Sequence, residues 1–382
     1  MSAPPPEAQA VSAALCRLIA SEIAASGGAI DFARYMELAL YAPALGYYMA
    51  GARKLGRDGD FVTAPEISPL FGRTLARQIA PLVGAGLDEL LELGAGSGAL
   101  AADLLLELER LRCLPRRYLI LELSSDLRSR SRDTIAARAP QQMDRVAWLN
   151  GLPVAFRGVV IGNEVLDAMP VNRITRSGGA TLEGYVRYDE AADSFVDVER
   201  PASEPVLRAA EKLPLPADGY RTEIQLRACA FVRSLGAALE QGAAFFLDYG
   251  FPRQEYYHPQ RAAGTLMCHY RHRAHDDPYF RPGLQDITSH IDFSAIAQAA
   301  QTAGLDLLGY ASQAQFLVNC GITDVLAETP PDDLAAYSPQ AGQAQKLMSP
   351  SEMGELFKVI AFGRRWSPPL LGFAEGDRRL TL

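Results

Sequence analysis

Between Leu90 and Gly98 the chain reads Leu-Leu-Glu-Leu-Gly-Ala-Gly-Ser-Gly. An apolar run leads to a carboxylate, three glycines alternate after it, and Ala99 to Leu111 follows with Leu100, Leu104, Leu105, Leu108 and Leu111 at helical spacing. The order is therefore strand, Gly-rich turn, helix. Glycines let the backbone turn sharply and let a ligand lie against bare main chain. The first N–H groups of the helix have no partner inside it and point at whatever occupies the turn. A connection of this kind also forms with no ligand at all, so the turn alone leaves both readings open.

The spacing narrows the ligand. A dinucleotide fold prefers G-x-G-x-x-G with pyrophosphate on the helix start. Here it is G-x-G-x-G, and Glu92 would repel a pyrophosphate. A carboxylate there suits a ligand carrying an ammonium and a sulfonium, as S-adenosylmethionine does. The candidate cofactor residues on this stretch are Glu92, Gly94, Gly96, Ser97 and Gly98. Tyr118 to Glu122 reads as the next buried strand and ends in an acid 24 residues past Gly98, the length of one helix and one crossover. An acid so placed can accept both ribose hydroxyls; closing the strand and capping the helix from Asp126 is its other reading. A third strand, Val146 to Asn150, puts Asn150 where an adenine edge would lie, although an Asn before Gly151 needs no ligand to explain it.

A fourth strand, Phe156 to Ile161, is continuous and β-branched, as buried parallel strands are. It runs into Asn163, Glu164 and Asp167. In an open parallel sheet, ligands bind beyond the carboxyl ends of the strands near the switch in strand order. Glu164 and Asp167 would share a face on a helical turn, or the acids would simply favour a helix start. This cluster is the expected reaction centre. Ala243 to Gly250 reads as a fifth strand and Leu356 to Gly363 as a final, antiparallel one. Residues 251–290 show little periodicity and hold His258, His269, His272, His275 and His290. The steps of three do not match a metal-binding helix pair, so no metal is expected and a loop lining the substrate cleft is favoured. Gly56 to Gly72 is a second polar loop, expected to fold over the cofactor through Thr63 and Pro65, with Ser68 capping a helix from Pro69 to Ile79.

The remaining segments frame that core. Residues 1–8 are expected as a tail, Val11 to Ala25 and Asp31 to Leu40 as helices, 172–200 as a β-hairpin insertion, 201–220 as irregular and Thr222 to Leu239 as a helix. The expected division is 1–84 for an N-terminal tail and helical lobe and 85–365 for a Rossmann-like domain. That domain carries a hairpin insertion over 171–220 and a cleft loop over 251–290, and 366–382 forms a C-terminal tail. At 382 residues with a net charge of -8, the chain is an unpromising general nucleic-acid binder. Five scattered cysteines without C-x-x-C fit a reducing compartment. With no recognisable signal peptide and no apolar run of spanning length, the expectation is a cytoplasmic protein with no membrane insertion.

Several ordered stretches carry a resemblance. They are Gly59 to Ser68 (G-D-F-V-T-A-P-E-I-S), Glu92 to Gly98, Asn163 to Pro170 (N-E-V-L-D-A-M-P) and Asp248 to Gly250 (D-Y-G). Further stretches are His272 to Asp276, Asp286 to Phe293, and Gln315 to Leu317 with Asn319. Together they resemble the MidA/NDUFAF (DUF185) family of S-adenosylmethionine-dependent methyltransferases. The resemblance implies an α/β fold, a Rossmann-like class I methyltransferase sheet with an N-terminal helical lobe and insertions. It implies S-adenosylmethionine as cofactor and a protein substrate, with an arginine of a respiratory complex I (NADH dehydrogenase) subunit as the expected target. On this reading Glu164, Asp167 and Asn163 form the catalytic cluster, with His272 or His275 receiving the proton. The rival functions are a non-catalytic assembly chaperone that binds the same cofactor, and an NAD-dependent oxidoreductase, which the glycine spacing and Glu92 disfavour.

Overall fold

The computed structural model describes residues 4–51, 62–216 and 218–382. The chain divides into two compact units. One comprises Val62–Leu166, Phe231–Phe251 and Phe293–Leu382, and the other takes the N-terminal segment with Asp167–Ala230 and Pro252–Asp292.

The first is built on a largely parallel sheet. Its strands are β1 (Glu89–Leu93), β2 (Arg117–Leu121), β3 (Val146–Leu149), β4 (Phe156–Asn163), β5 (Leu239–Phe251), β6 (Asp306–Ser312) and β7 (Phe357–Arg364). They lie in the order β6-β7-β5-β4-β1-β2-β3. β1 runs parallel to β2 on one side and to β4 on the other, with Leu90 to Leu93 against Val159 to Gly162. β7 is antiparallel to both β5 and β6. This is the expected Rossmann-like class I sheet, and the order reverses between β1 and β4.

The apolar content of these strands explains the layering. Leu90, Val159, Ile161, Phe245 and Leu247 join one buried cluster with the helices Pro69–Gly84 and Ala99–Arg110. Ser68 caps the first of these, its hydroxyl accepting from Leu70 N at 3.2 Å. That helix runs past the expected end at Ile79 and packs with the sheet. Ser124, not Glu122, caps Ser125–Arg138 by accepting from Leu127 N. Arg138 of that helix pairs with buried Asp103 of Ala99–Arg110. Residues 366–382, expected as a tail, fold back onto this core: Phe373 packs on Phe316 and Gly372 N donates to Gln78 Oε1 at 2.7 Å.

The second unit joins three segments that were expected separately. Ile30–Asp31, Ala180–Asp189, Asn172–Ser177 and Arg221–Ile224 form an antiparallel sheet in that order, with Ser194–Pro201 on the far side of Ala180–Asp189. Leu15, Ile19, Tyr35, Met36, Val186, Phe195, Cys268 and Ile287 share one core. Asp31 caps Phe32–Tyr41 by accepting from Arg34 N at 2.9 Å. Three elements of this unit differ from expectation. The first helix begins at Pro6, because proline suits the opening turn, so residues 6–8 are not tail. Glu204–Ala210 forms a helix within the segment expected as irregular. Arg221–Ile224 is a strand preceding the helix Leu226–Ala238, because it completes the antiparallel sheet beside Asn172–Ser177. By length and composition Pro6–Ala25 could cross a membrane, contrary to the expectation that no run would reach that length. Its Leu15, Ile19 and Ile23 are buried in the protein core.

Gly98 illustrates how the fold constrains the turn independently of any ligand. Its φ is +83°, and a Cβ there would stand 2.7 Å from Ser131 Cα. Gly98→Ala is expected to lower unfolding free energy by about 2 kcal/mol or more, measured by denaturant titration without cofactor. An unchanged midpoint would contradict this packing.

Candidate active site

The glycine turn leaves β1 with left-handed backbone at Gly94, Gly96 and Gly98, φ +64°, +54° and +83°. Gly94 N donates to Leu121 O at 2.9 Å, holding the turn against the end of β2. Glu122, next on the chain, secures two turns at once. Its Oε2 accepts from Gly96 N at 3.2 Å and its Oε1 from Ser124 N at 3.0 Å. Each oxygen keeps a lone pair for a further donor, which is what a ribose diol requires. Burial raises the Glu122 carboxyl above its ordinary value, and the Ser124 and Gly96 N–H groups hold it down.

Glu92 is 2% exposed at the end of β1. Burial pushes its carboxyl up to about 7, a donation from the Tyr118 hydroxyl opposes the rise, and the charge of Glu122 adds to it. The Tyr118 hydroxyl lies 2.7 Å from Glu92 Oε2. A buried acid poised in this way is stabilised in its ionised form by a cation. The donor set therefore fits S-adenosylmethionine: bare main chain in the turn, one acid for a cationic group and one for hydroxyls.

Thr63 and Pro65 open the short helical turn Ala64–Ile67. That turn presents Glu66 to Ser97, whose hydroxyl donates to Glu66 Oε1. The first residues of the motif, Gly59 to Phe61, lie outside the described residues. Asn150 is at the end of β3, where its side-chain oxygen accepts from Arg128 Nη1 at 2.7 Å, leaving its NH2 as the group for an adenine edge.

At the neighbouring strand end, Asn163 Nδ2 donates to Glu164 Oε1 at 3.2 Å, while Asn163 Oδ1 is buried with no hydrogen-bond partner among the described residues. Glu164 has φ +52°, a conformation uncommon outside glycine, and its N–H donates to Leu247 O at 2.8 Å. Asp248, 1% exposed at the end of β5, accepts from Leu166 N and Tyr249 N, each at 2.9 Å. The segment after β4 is therefore not the helical turn on which Glu164 and Asp167 would share a face. The left-handed Glu164 and the Asp248 bond to Leu166 N end regular structure there. A Cβ on Gly94 would lie 3.4 Å from Val165 Cγ2, so the glycine turn and this segment adjoin.

Asp167 begins the other compact unit, where its carbonyl accepts from Ser289 N at 3.0 Å. His272 is exposed at a hairpin tip, with φ +49° at Arg271 and +58° at His272. Two successive left-handed residues are what a two-residue hairpin turn requires. His275 packs edge-on against Phe280, accepts from Asp277 N at 3.3 Å and buries Nε2 with no partner among the described residues. Sequence reasoning missed Tyr118, Glu66 and Asp248 as supports of the site. Glu66 and Asp248 lay inside stretches already singled out, A-P-E-I-S and D-Y-G.

Residues 74–311, more than half the chain, match the family model for S-adenosyl-L-methionine-dependent methyltransferases. The chain belongs to that family. A crystal structure from Burkholderia thailandensis bound to S-adenosyl-homocysteine is 53% identical to this methyltransferase, with a TM-score of 0.96 over 100% of both chains. A native crystal structure from the same organism is 52% identical, with a TM-score of 0.93 and the same coverage. The mouse protein named protein arginine methyltransferase NDUFAF7, mitochondrial, is 29% identical over 88% of this chain and 81% of its own length. The human protein of that name is 29% identical over 88% of this chain and 80% of its own. S-adenosylmethionine is thus the cofactor of this methyltransferase.

The raised Glu92 carboxyl makes both stability and binding depend on pH. Between the ordinary value of 4.5 and about 7, the folded chain holds a proton that the unfolded chain has lost. Stability of the free protein therefore falls as pH rises through that interval, and the penalty is complete above it. A cation beside Glu92 reverses the preference, so affinity for S-adenosyl-homocysteine, which keeps the ammonium, should rise over the same interval. Calorimetry is expected to show tighter binding at about pH 8 than at about pH 5.5. Glu92→Gln should flatten that difference and weaken binding at the higher pH by roughly tenfold, the worth of a charged hydrogen bond. Binding equally tight at both pH values in the parent protein would contradict the assignment.

Proposed function

We propose that this methyltransferase N-methylates the guanidinium of an arginine in a protein substrate. The observation that carries the reading is Glu164, an acid held in left-handed backbone at the end of β4 and hydrogen-bonded by Asn163. Such a conformation costs on the order of 1 kcal/mol or more and persists where the surroundings impose it. The names of the mouse and human relatives point to the same chemistry.

A guanidinium stays protonated in water, so its nitrogens are poor nucleophiles. A carboxylate can hold the planar fork through two N–H donations and draw positive charge toward the nitrogens it touches. The remaining nitrogen is then aligned for attack, and alignment supplies much of the rate in a two-substrate transfer. When bound, the cofactor supplies an electrophilic methyl on a sulfonium: the new N–C bond forms as the C–S bond breaks, its electron pair stays on sulfur, and one N–H proton leaves to water. In this proposal Glu164 orients the acceptor, Asn163 steadies Glu164, and Glu92 and Glu122 hold the cofactor. Asp167, His272 and His275 belong to the other compact unit, and the proposal does not depend on them. The family resemblance makes a respiratory NADH dehydrogenase subunit the first substrate to try.

Glu164→Gln keeps the size and the acceptor oxygen but loses the charge. Transfer of labelled methyl from S-adenosylmethionine to protein arginine is expected to fall by roughly a hundredfold or more, with S-adenosyl-homocysteine affinity changed less than about threefold. Equal transfer by the variant would overturn the role of Glu164. Parent protein that binds cofactor but labels no arginine in any extract protein would overturn the arginine reading.

A further inference from the structure

Asp248 takes over where the ladder between β4 and β5 ends. Leu247 is in register with Asn163, and the last rung runs from Glu164 N to Leu247 O at 2.8 Å. Two residues on, Leu166 N donates at 2.9 Å to Asp248 Oδ2. The departing chain thus advances two residues while β5 advances one. An extra residue of this kind is what a β-bulge accommodates, and left-handed backbone is one way of absorbing it. Glu164 takes that position, with φ +52°. Glycine would adopt it freely, whereas a glutamate adopts it only under constraint.

The constraint is stronger than an ordinary loop contact. Both oxygens of buried Asp248 accept from main chain, Oδ2 from Leu166 N and Oδ1 from Tyr249 N. Hydrogen bonds to a carboxylate are shorter and stronger than neutral ones. Leu166 is itself buried, so its N–H has no water to turn to if the acceptor is lost. Lys358, also buried, lies opposite Asp248 in the antiparallel pairing of β5 with β7 and places a cation on the same face of the sheet. The carboxylate is therefore held on three sides, and the chain from Glu164 to Leu166 is held by it.

We propose that Asp248 is a positioning residue for methyl transfer: by holding Leu166 N it forces the bend at Glu164 and so fixes the direction of the Glu164 carboxylate. The inference rests on the reading of Glu164 as the group that orients the acceptor. Asp248, Leu166 and Glu164 belong to one compact unit, and Asp248 acts on the reaction only through Glu164. Its removal therefore slows transfer and leaves cofactor affinity in place, because Glu92, Glu122 and the glycine turn do not depend on it.

The test compares Asp248→Ala and Asp248→Asn with the parent, in the full chain, by amide hydrogen exchange and by methyl transfer. In Asp248→Ala, exchange over 163–166 is expected to speed up at least about tenfold, the worth of a charged hydrogen bond, with 92–98 unchanged. Transfer at saturating cofactor should fall at least about tenfold through misplacement of the acceptor, while S-adenosyl-homocysteine affinity stays within about threefold. Asp248→Asn keeps an acceptor oxygen and should recover most of the lost transfer. The double variant Asp248→Ala with Glu164→Gln should be no more than about threefold slower than Glu164→Gln alone, because residues acting as one unit do not add. Losses that multiply in the double variant, or exchange over 163–166 equal to the parent's, would overturn the proposal. Should Asp248→Ala fail to fold, Asp248→Asn carries the exchange test: faster exchange over 163–166 supports the tie and parent-like exchange overturns it. Equal transfer by Glu164→Gln and the parent defeats the reading of Glu164 itself, and exchange then decides on Asp248 alone.

Discussion

The parallel pairing of β1 with β4 is the constraint on which the site depends. Leu93 lies against Gly162, so the two chains leave the sheet side by side, one into the glycine turn and the other into Asn163 and Glu164. Strand order reverses at this point, the place where open α/β sheets bind their ligands. On its other side residue 162 must be glycine for β5: a Cβ there would stand 2.9 Å from the Phe246 ring. A shift of one residue in this register would turn every side chain on β4 to the opposite face and separate the acids from the turn.

Around that junction, buried acids organise main chain more than they meet each other. Glu122 ties Gly96 to Ser124, and Asp248 ties Leu166 to Tyr249. Each connection fixes a loop that has no regular structure of its own. Glu92 is the exception, since its one hydrogen-bond donor among the described residues is the Tyr118 hydroxyl. Its burial is sustained by the surrounding core and disfavours the charged form. Acids that serve as braces are satisfied within the protein, whereas the acid assigned to the cofactor's cation has not been satisfied by a charge of the protein's own.

What was legible in the sequence follows from range along the chain. The strand, turn and helix around Gly94 to Gly98 are specified by adjacent residues. Glu122 was readable because a crossover of one helix fixes its offset from the turn. Asn163 and Glu164 were readable because a buried strand must end before polar residues can appear. The bond from Ser97 to Glu66 spans 31 residues, and that from Leu166 to Asp248 spans 82; no local pattern encodes either. The same reason hid the strand Arg221–Ile224, whose partner Asn172–Ser177 lies in a distant segment. The left-handed Glu164 was equally invisible, because an acid after a strand reads as a helix start until the tertiary bonds on either side are known.

The central claim, that the ends of β1, β2 and β4 form one cofactor cradle, is tested most directly by amide hydrogen exchange with and without S-adenosyl-homocysteine. The account predicts slowed exchange together in peptides covering 92–98, 122–124 and 163–166. Unchanged exchange in all three at saturating ligand, or protection confined to other segments, would contradict it.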